Sequence, residues 1–491
     1  MKIRFLLVLF YFLAFPVLQA AASPFNLGTA VQGDKVMQDF KLESLPTGVD
    51  HSQKVKAIPI GSDYGSKDCV NSSPSIAVSR FKVEVSAKGA ILMNAETGAV
   101  LWEKNSHVPY YPASTTKMIT ALYALKKKGN SLDELVTASY DAVAHVHPNV
   151  RRAKNGQHPP YRLEFGGTHM GIKVGETLSL RTLFYGLMLT SGNDAANVIA
   201  QYVSGNILTF MEELNRFVRE MGCLHTDLYT PHGLPHAEHK TTAFDLAILA
   251  RLALKDPFFR EVVKTVQYIR PQTNKQPESM LHQRNALVKP GRFFYPKAIG
   301  IKTGYTVEGG YTMVAAAENQ QRKLIAVVLG CEKIEERYKD AIALFDAGFN
   351  EQKVSRTLFS QGFDLFTYPI EGGKVPLQAY LSQNVVLDYF PSEEPAFKTM
   401  VAWEVLPLPI ASGQKVAELQ IFSSENRLLS SAPLFAVKAV YPTLKYRVNL
   451  VLKGVKKEME NKITWIMAIG GLVILAGTFL YSQRIRKHSK G

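Results

Sequence analysis

"YPASTTKMITALYALKKKGN", residues 111–130, reads first as an ordinary helix. Met118, Ile119, Leu122 and Leu125 recur at helical spacing, a lysine run follows, and Gly129 stops it. Ser114 and Lys117 stand just ahead of that apolar face. They are three residues apart, which puts their side chains on one side of a helix. Ser114 is then either a helix cap, a common use of serine, or a nucleophile with its base. A serine hydroxyl is a poor nucleophile until a base takes its proton. No His/Asp pair stands beside Ser114, but Lys117 is one helical turn away.

Spacing alone does not decide between the two. About two chance Ser-x-x-Lys matches are expected in a chain of this length. Three occur: Ser79/Lys82, Ser114/Lys117 and Ser412/Lys415. Company downstream separates the second from the others. "SGN" at 191–193 precedes "DAANVIA", which puts Ser191 and Asn193 in the turn between two helices. A second "SGN", at 204–206, precedes another helix, where Ser204 or Asn206 makes a natural cap. "KTG" at 302–304 ends an apolar strand. An exposed Lys302 and Thr303 at a sheet edge, with Gly304 permitting close approach, suit a carboxylate ligand.

These residue types supply the parts of an acyl-transfer site. Lys117 must be neutral near pH 7 to act as base, and burial together with the charge of Lys302 would lower its pKa. Ser191 can relay a proton, Asn193 can hold a substrate amide, and Lys302 with Thr303 can hold a terminal carboxylate. Backbone N–H groups would form an oxyanion hole. No cofactor and no metal is called for.

Ser-x-x-Lys, Ser-x-Asn and Lys-Thr-Gly, in that order, are the motif set of penicillin-binding proteins and related β-lactamases. Residues 84–351 resemble a low-molecular-mass penicillin-binding protein, a serine-type D-alanyl-D-alanine carboxypeptidase. "AILMNAETGAVLWEKN", "YPASTTKMITALYAL", "LMLTSGNDAANVIA", "TPHGLPHAEHKTTAFDLAILA" and "GIKTGYTVEGGYTMVAAAE" resemble that family's blocks in order. The resemblance implies that Ser114 is acylated by a peptidoglycan stem peptide at its penultimate D-alanine. Terminal D-alanine leaves and water frees the enzyme. The oxyanion hole would use the N–H groups of Ser114 and Tyr305. Stem peptides and lipid-linked precursors would be its partners and β-lactam antibiotics its inhibitors. The long basic loop 145–167 and residues 23–83 depart from the family pattern.

Elsewhere the 491 residues, 46% hydrophobic and 20% charged, have the profile of a folded chain. "MKIR", an apolar run and "QAAAS" read as a signal peptide over 1–22, so the protein is expected to be exported. Residues 23–83 read as a spacer. The "NAETG" hairpin near the start and the meander at 297–331 suggest strands from both ends sharing one sheet, with helices between them. The expected fold is therefore α/β, a β-lactamase/transpeptidase-like domain over 84–351. A small all-β domain follows over 352–450 and a juxtamembrane linker over 451–462.

Residues 463–481 carry no charge, and nineteen helical residues span about 28 Å, close to a bilayer's apolar thickness. Basic residues follow, so 482–491 would be cytoplasmic and everything before 463 outside. Net charge is +15, of which six lie at the two ends, leaving +9. No motif supports nucleic acid. Three cysteines allow at most one intramolecular disulfide. The oligomeric state is open.

Three rivals remain. A class A β-lactamase needs a glutamate in E-x-x-L-N, and "MEELN" puts Met211 there, with Glu212 and Glu213 reading as solvated charges. A zinc peptidase could use His232, His236 and His239 with His145 and His147, but there is no H-E-x-x-H, and the loop reads as a solvated turn. A non-catalytic wall-binding protein would not need the motifs intact. DD-endopeptidation and transpeptidation share this machinery.

Overall fold

The computed structural model describes residues 56–59, 82–147, 149–150, 158–424 and 426–488. The expected signal peptide, most of 23–83 and the last three residues of the tail lie outside them.

A five-stranded antiparallel sheet organises residues 84–351. A hairpin supplies two strands, β2 (Gly89–Asn94) and β3 (Val100–Lys104); β1 is a separate strand, Lys56–Pro59. A meander supplies β4 (Ala298–Thr306), β5 (Gly310–Glu318) and β6 (Lys323–Cys331). The strand order is β4-β5-β6-β2-β3, because β2 pairs with β6, Gly89 opposite Leu329 and Asn94 opposite Leu324. Strands from both ends of the region thus share one sheet.

"KLIAVVLG" does not alternate because both faces of β6 are covered. Ile325, Val327 and Leu329 enter one core with the helices, while Leu324, Ala326 and Val328 enter another. Tyr338, Ala341, Leu344 and Phe345 of the returning helix close the second. A strand buried on both faces loses the period-two signature.

The helices on the first face are α1 (Thr116–Lys128), α2 (Leu180–Met188), α3 (Asn193–Ser204), α4 (Ile207–Glu220), α5 (Ala243–Ala253) and α6 (Pro257–Lys264). The returning helix is α7 (Glu336–Asn350). Caps fall where the residue types predict. Thr242 accepts from Asp245 N at the start of α5, and Asn206 accepts from Thr209 N at the start of α4. Helix α1 departs from the amphipathic expectation. Every residue from Thr116 to Leu125 is buried, so the helix runs through the core and exposes only its lysine end. Its buried Thr120 hydroxyl is satisfied by donating to Pro231 O at 2.7 Å.

Beyond α7 a six-stranded antiparallel sheet has its own core. Its strands are β7 (Leu365–Tyr368), β8 (Leu377–Leu381), β9 (Phe397–Trp403), β10 (Lys415–Ser423) and β11 (Leu428–Ala436), with β1 pairing to β9. Helix α8 (Leu444–His488) runs unbroken through the expected linker and apolar segment. It is the one helix among the described residues long and apolar enough to cross a membrane. The described cysteines, Cys223 and Cys331, are buried free thiols.

Candidate active site

The chain turns sharply into α1. A 3₁₀ turn, Ala113–Thr115, precedes the helix, and Ala113 takes a φ of +51°, a costly conformation for a residue with a Cβ. The surroundings hold it there. Thr116 Oγ1 donates to Ala113 O at 2.9 Å, Thr115 Oγ1 to Pro112 O at 2.7 Å, and Thr312 Oγ1 from β5 to Pro112 O at 3.0 Å. Gly233 closes the other side, because a Cβ there would fall 1.9 Å from Ala113 O. Ser114 is not a cap. No side chain caps either the 3₁₀ turn or α1, and Ser114 Oγ instead faces Lys117.

Lys117 Nζ has three oxygen partners: Ser114 Oγ at 2.9 Å, Asn193 Oδ1 at 2.7 Å and the carbonyl of His232 at 2.7 Å. The side chain is fully buried. Burial holds its pKa well below the usual lysine value, and the Lys302 charge lowers it further, while Asp194 pulls the other way.

Ser191 and Asn193 arrive on the turn between α2 and α3. Ser191 has a φ of +62° and Asn193 opens α3. Asp194, also buried, anchors a neighbouring loop by accepting from Met170 N, Gly171 N and Ile172 N at 2.8–3.0 Å. The same loop grips the turn twice. Thr168 Oγ1 donates to Ser191 O at 2.7 Å, and Asn193 N donates to Thr168 O at 2.8 Å.

Lys302, Thr303, Gly304 and Tyr305 lie on β4, at the sheet edge. The expected exposure is corrected for the first two. Lys302 and Thr303 are buried, since the helices and the 3₁₀ turn cover this edge; Tyr305 is half exposed and stacks on Tyr311. Burial, with Arg337 and Arg284, brings Lys302 down to about 7. Gly304 must be glycine: a Cβ there would lie 2.4 Å from Thr312 Oγ1 and 2.9 Å from Ser114 N. Helix α1 with its entry turn, the α2–α3 turn and β4 therefore come together around Lys117.

Three residues were not legible in advance. Arg337 reads as a solvated charge on α7, yet it is buried and donates to Gly304 O at 2.9 Å. Arg284, on a loop, acts electrostatically on both lysines. Asp194 is the acid in the first turn of α3. Nothing in their spacing points to the site.

The histidine-rich loop is corrected too. It is not a solvated turn, because His232 and His239 are buried. His239 Nδ1 accepts from Tyr229 N, and its Nε2 lies 3.0 Å from Thr116 Oγ1. His232 Nε2 lies 3.0 Å from Tyr161 O, and His236 stacks on Tyr229. Glu213 is not simply solvated either, since it accepts from Tyr123 and Ser204 at 2.8 Å. The Ser412/Lys415 match sits on the later sheet, Ser412 donating to Val437 O and Lys415 pairing with Glu418 and Glu404.

Comparison with known proteins follows this geometry. The family model described as D-alanyl-D-alanine carboxypeptidase matches residues 75–333. D-alanyl-D-alanine carboxypeptidase DacF of Bacillus subtilis is 27% identical over 71% of this chain and 85% of its own length. DacD of Salmonella typhimurium is 28% identical over 72% and 87%. Two solved structures share the fold. DacD from Francisella tularensis has a TM-score of 0.51 at 24% identity, covering 77% of this chain and 100% of that one. Penicillin binding protein 6B from Escherichia coli has a TM-score of 0.52 at 24% identity, covering 73% and 98%.

Proposed function

The chain belongs to the D-alanyl-D-alanine carboxypeptidase family, and from that premise we propose that it removes terminal D-alanine from peptidoglycan stem peptides through an acyl-enzyme on Ser114. The observation that carries the reading is the set of partners at Lys117 Nζ. A neutral amine has two N–H bonds and one lone pair. Asn193 Oδ1 and His232 O can only accept, so they take both N–H bonds. The lone pair is left facing Ser114 Oγ at 2.9 Å. Burial and the neighbouring cations supply the neutral form.

The steps follow. Ser114 Oγ attacks the carbonyl carbon of the penultimate D-alanine, and its proton passes to Lys117 Nζ. The oxyanion is held by backbone N–H groups, those of Ser114 and Tyr305. The C–N bond breaks, and Ser191 relays the proton to the departing amine. Water then attacks the ester carbonyl and gives its proton to Lys117; the bond to Ser114 Oγ breaks, and Lys117 hands that proton to the Ser114 oxygen. Lys302 and Thr303 hold the terminal carboxylate. Asn193, its Oδ1 engaged by Lys117, offers Nδ2 to the amide carbonyl of the preceding residue. A β-lactam acylates the same oxygen. No step calls for a metal or cofactor.

The address completes the reading. The apolar part of α8 spans the bacterial cytoplasmic membrane once, with the catalytic region on the outer side and the basic tail inside.

Ser114→Ala tests the assignment. Both D-alanine release and labelling by fluorescent penicillin are expected to disappear, since one oxygen forms both adducts. Labelling that persists in the variant, with mass spectrometry locating the adduct elsewhere, would sink it.

A further inference from the structure

The proposed reaction fixes which way the peptide lies. Its terminal carboxylate sits at Lys302 and Thr303, and the scissile carbonyl at Ser114. The amide of the residue before that lies against Asn193 Nδ2. The wall beyond Asn193 therefore meets the side chain of the third residue from the peptide's end.

That wall is the loop from Leu163 to Met170. A Cβ on Gly167 would stand 3.1 Å from Asn193 Nδ2 and 3.1 Å from His169 Nε2, so the backbone there lies against both. Phe165 is two residues away, at most about 7 Å along the chain. Its ring is 64% exposed. A lone exposed phenylalanine is unexceptional. This one is held in place: it stacks on His145 with centroids 5.3 Å apart and planes at 25°, and the edge of His145 meets His169 at 4.7 Å.

His169 Nε2 donates to Glu164 O at 3.0 Å, and its Nδ1 is buried with no partner among the described residues. Burial, with His169 alongside, lowers the pKa of His145. The nearby Arg162 is paired with Asp141 at 2.7 Å. The shelf offers flat ring surface, which suits methylene groups.

We propose that Phe165, backed by His145 and His169, is the specificity-determining surface for the third residue from the end of the donor peptide, and that it selects a long aliphatic side chain over a short one. A long aliphatic side chain can lie across the ring and keep any polar end in water. This rests on the peptide direction set by the proposed function.

The test compares two donors with the full-length protein in its membrane, N-acetyl-norleucyl-D-alanyl-D-alanine and N-acetyl-alanyl-D-alanyl-D-alanine. The readout is the ratio of their kcat/KM values for D-alanine release, so a general loss of activity cancels. The wild type is expected to favour norleucine by about tenfold. Phe165→Ala should bring the ratio to within about twofold of unity, with His145→Ala in between. A ratio that survives Phe165→Ala, or a wild type indifferent to the two peptides, overturns the proposal. A wild type that releases D-alanine from neither peptide would instead strike the catalytic reading, and the shelf proposal would fall with it.

Discussion

In the proposed mechanism Lys117 and Lys302 have the same side chain and opposite tasks: Lys117 must be neutral to take a proton, and Lys302 must be charged to hold a carboxylate. Burial lowers both, and the difference lies in the company. Lys117 has Lys302 facing it and two fixed acceptors for its N–H bonds, whereas Lys302 donates to Thr303 O at 2.9 Å. With Lys302 near 7, raising the pH through that value removes the cation from the free enzyme, so kcat/KM should fall on the alkaline side. The acid side falls separately, as Lys117 gains a proton. Bound carboxylate favours the charged form, so kcat should bend less than kcat/KM. An arginine stays charged throughout, so Lys302→Arg should abolish the alkaline limb while lowering the plateau. Profiles of D-alanine release across about pH 5.5–9.5 check this. An alkaline limb unmoved in the variant would assign it to another group.

At the scale of single elements, α1 and α8 make opposite use of apolar sequence. Around α1, residues 116–125 are enclosed on all sides, so its first turn is a rigid platform for Ser114. Helix α8 is rooted by Thr443 N donating to Gly372 O at 2.8 Å and by the Tyr446 ring lying over Gly372. From Arg447 onward every described side chain is exposed. The uncharged part of that surface, residues 463–481, needs a cover, and its length of about 28 Å is close to a bilayer's apolar thickness. A chain stopped after Lys462 should therefore leave the membrane fraction and still bind penicillin, because the removed part packs against nothing. Retention of that fragment on membranes after a high-salt wash would reveal a second anchor.

At the scale of the molecule, one buried arginine ties the catalytic sheet to the later sheet. Arg322, in the turn between β5 and β6, donates to Glu351 Oε2 at 2.9 Å and to Gly348 O at 2.7 Å at the end of α7. It also pairs with Glu393 and lies over the Phe390 ring, both just before β9. Glu393 in turn accepts from Asn94 of β2 at 2.6 Å. Removing the guanidinium takes the positive charge away from two largely buried carboxylates, which keep only neutral donors such as Ser392 and Asn94 among the described residues. Arg322→Met should cost roughly 3–5 kcal/mol and uncouple the two regions. In calorimetry the β-rich region should melt first, as a separate transition. One transition at the wild-type temperature would show that the arginine does not couple them.

The sequence by itself determined the elements and the order of the chemistry. A helix start near Ser204 or Asn206, the hairpin, the meander and the apolar stretch of α8 all follow from local patterns, because caps, turns and periodicity act over a few residues. The three motifs, in order, moved Ser114 from cap to candidate nucleophile before any contact was known. Tertiary structure alone decided what each side chain experiences. It buried Lys302 and Thr303, enclosed α1 on every face, and turned the histidine loop into a support for the Ser114 turn. It brought Asp194, Arg284 and Arg337 close to Lys117 and β4, and set Gly167 against Asn193. Burial and electrostatic company depend on residues far apart in the chain, and no local pattern encodes them.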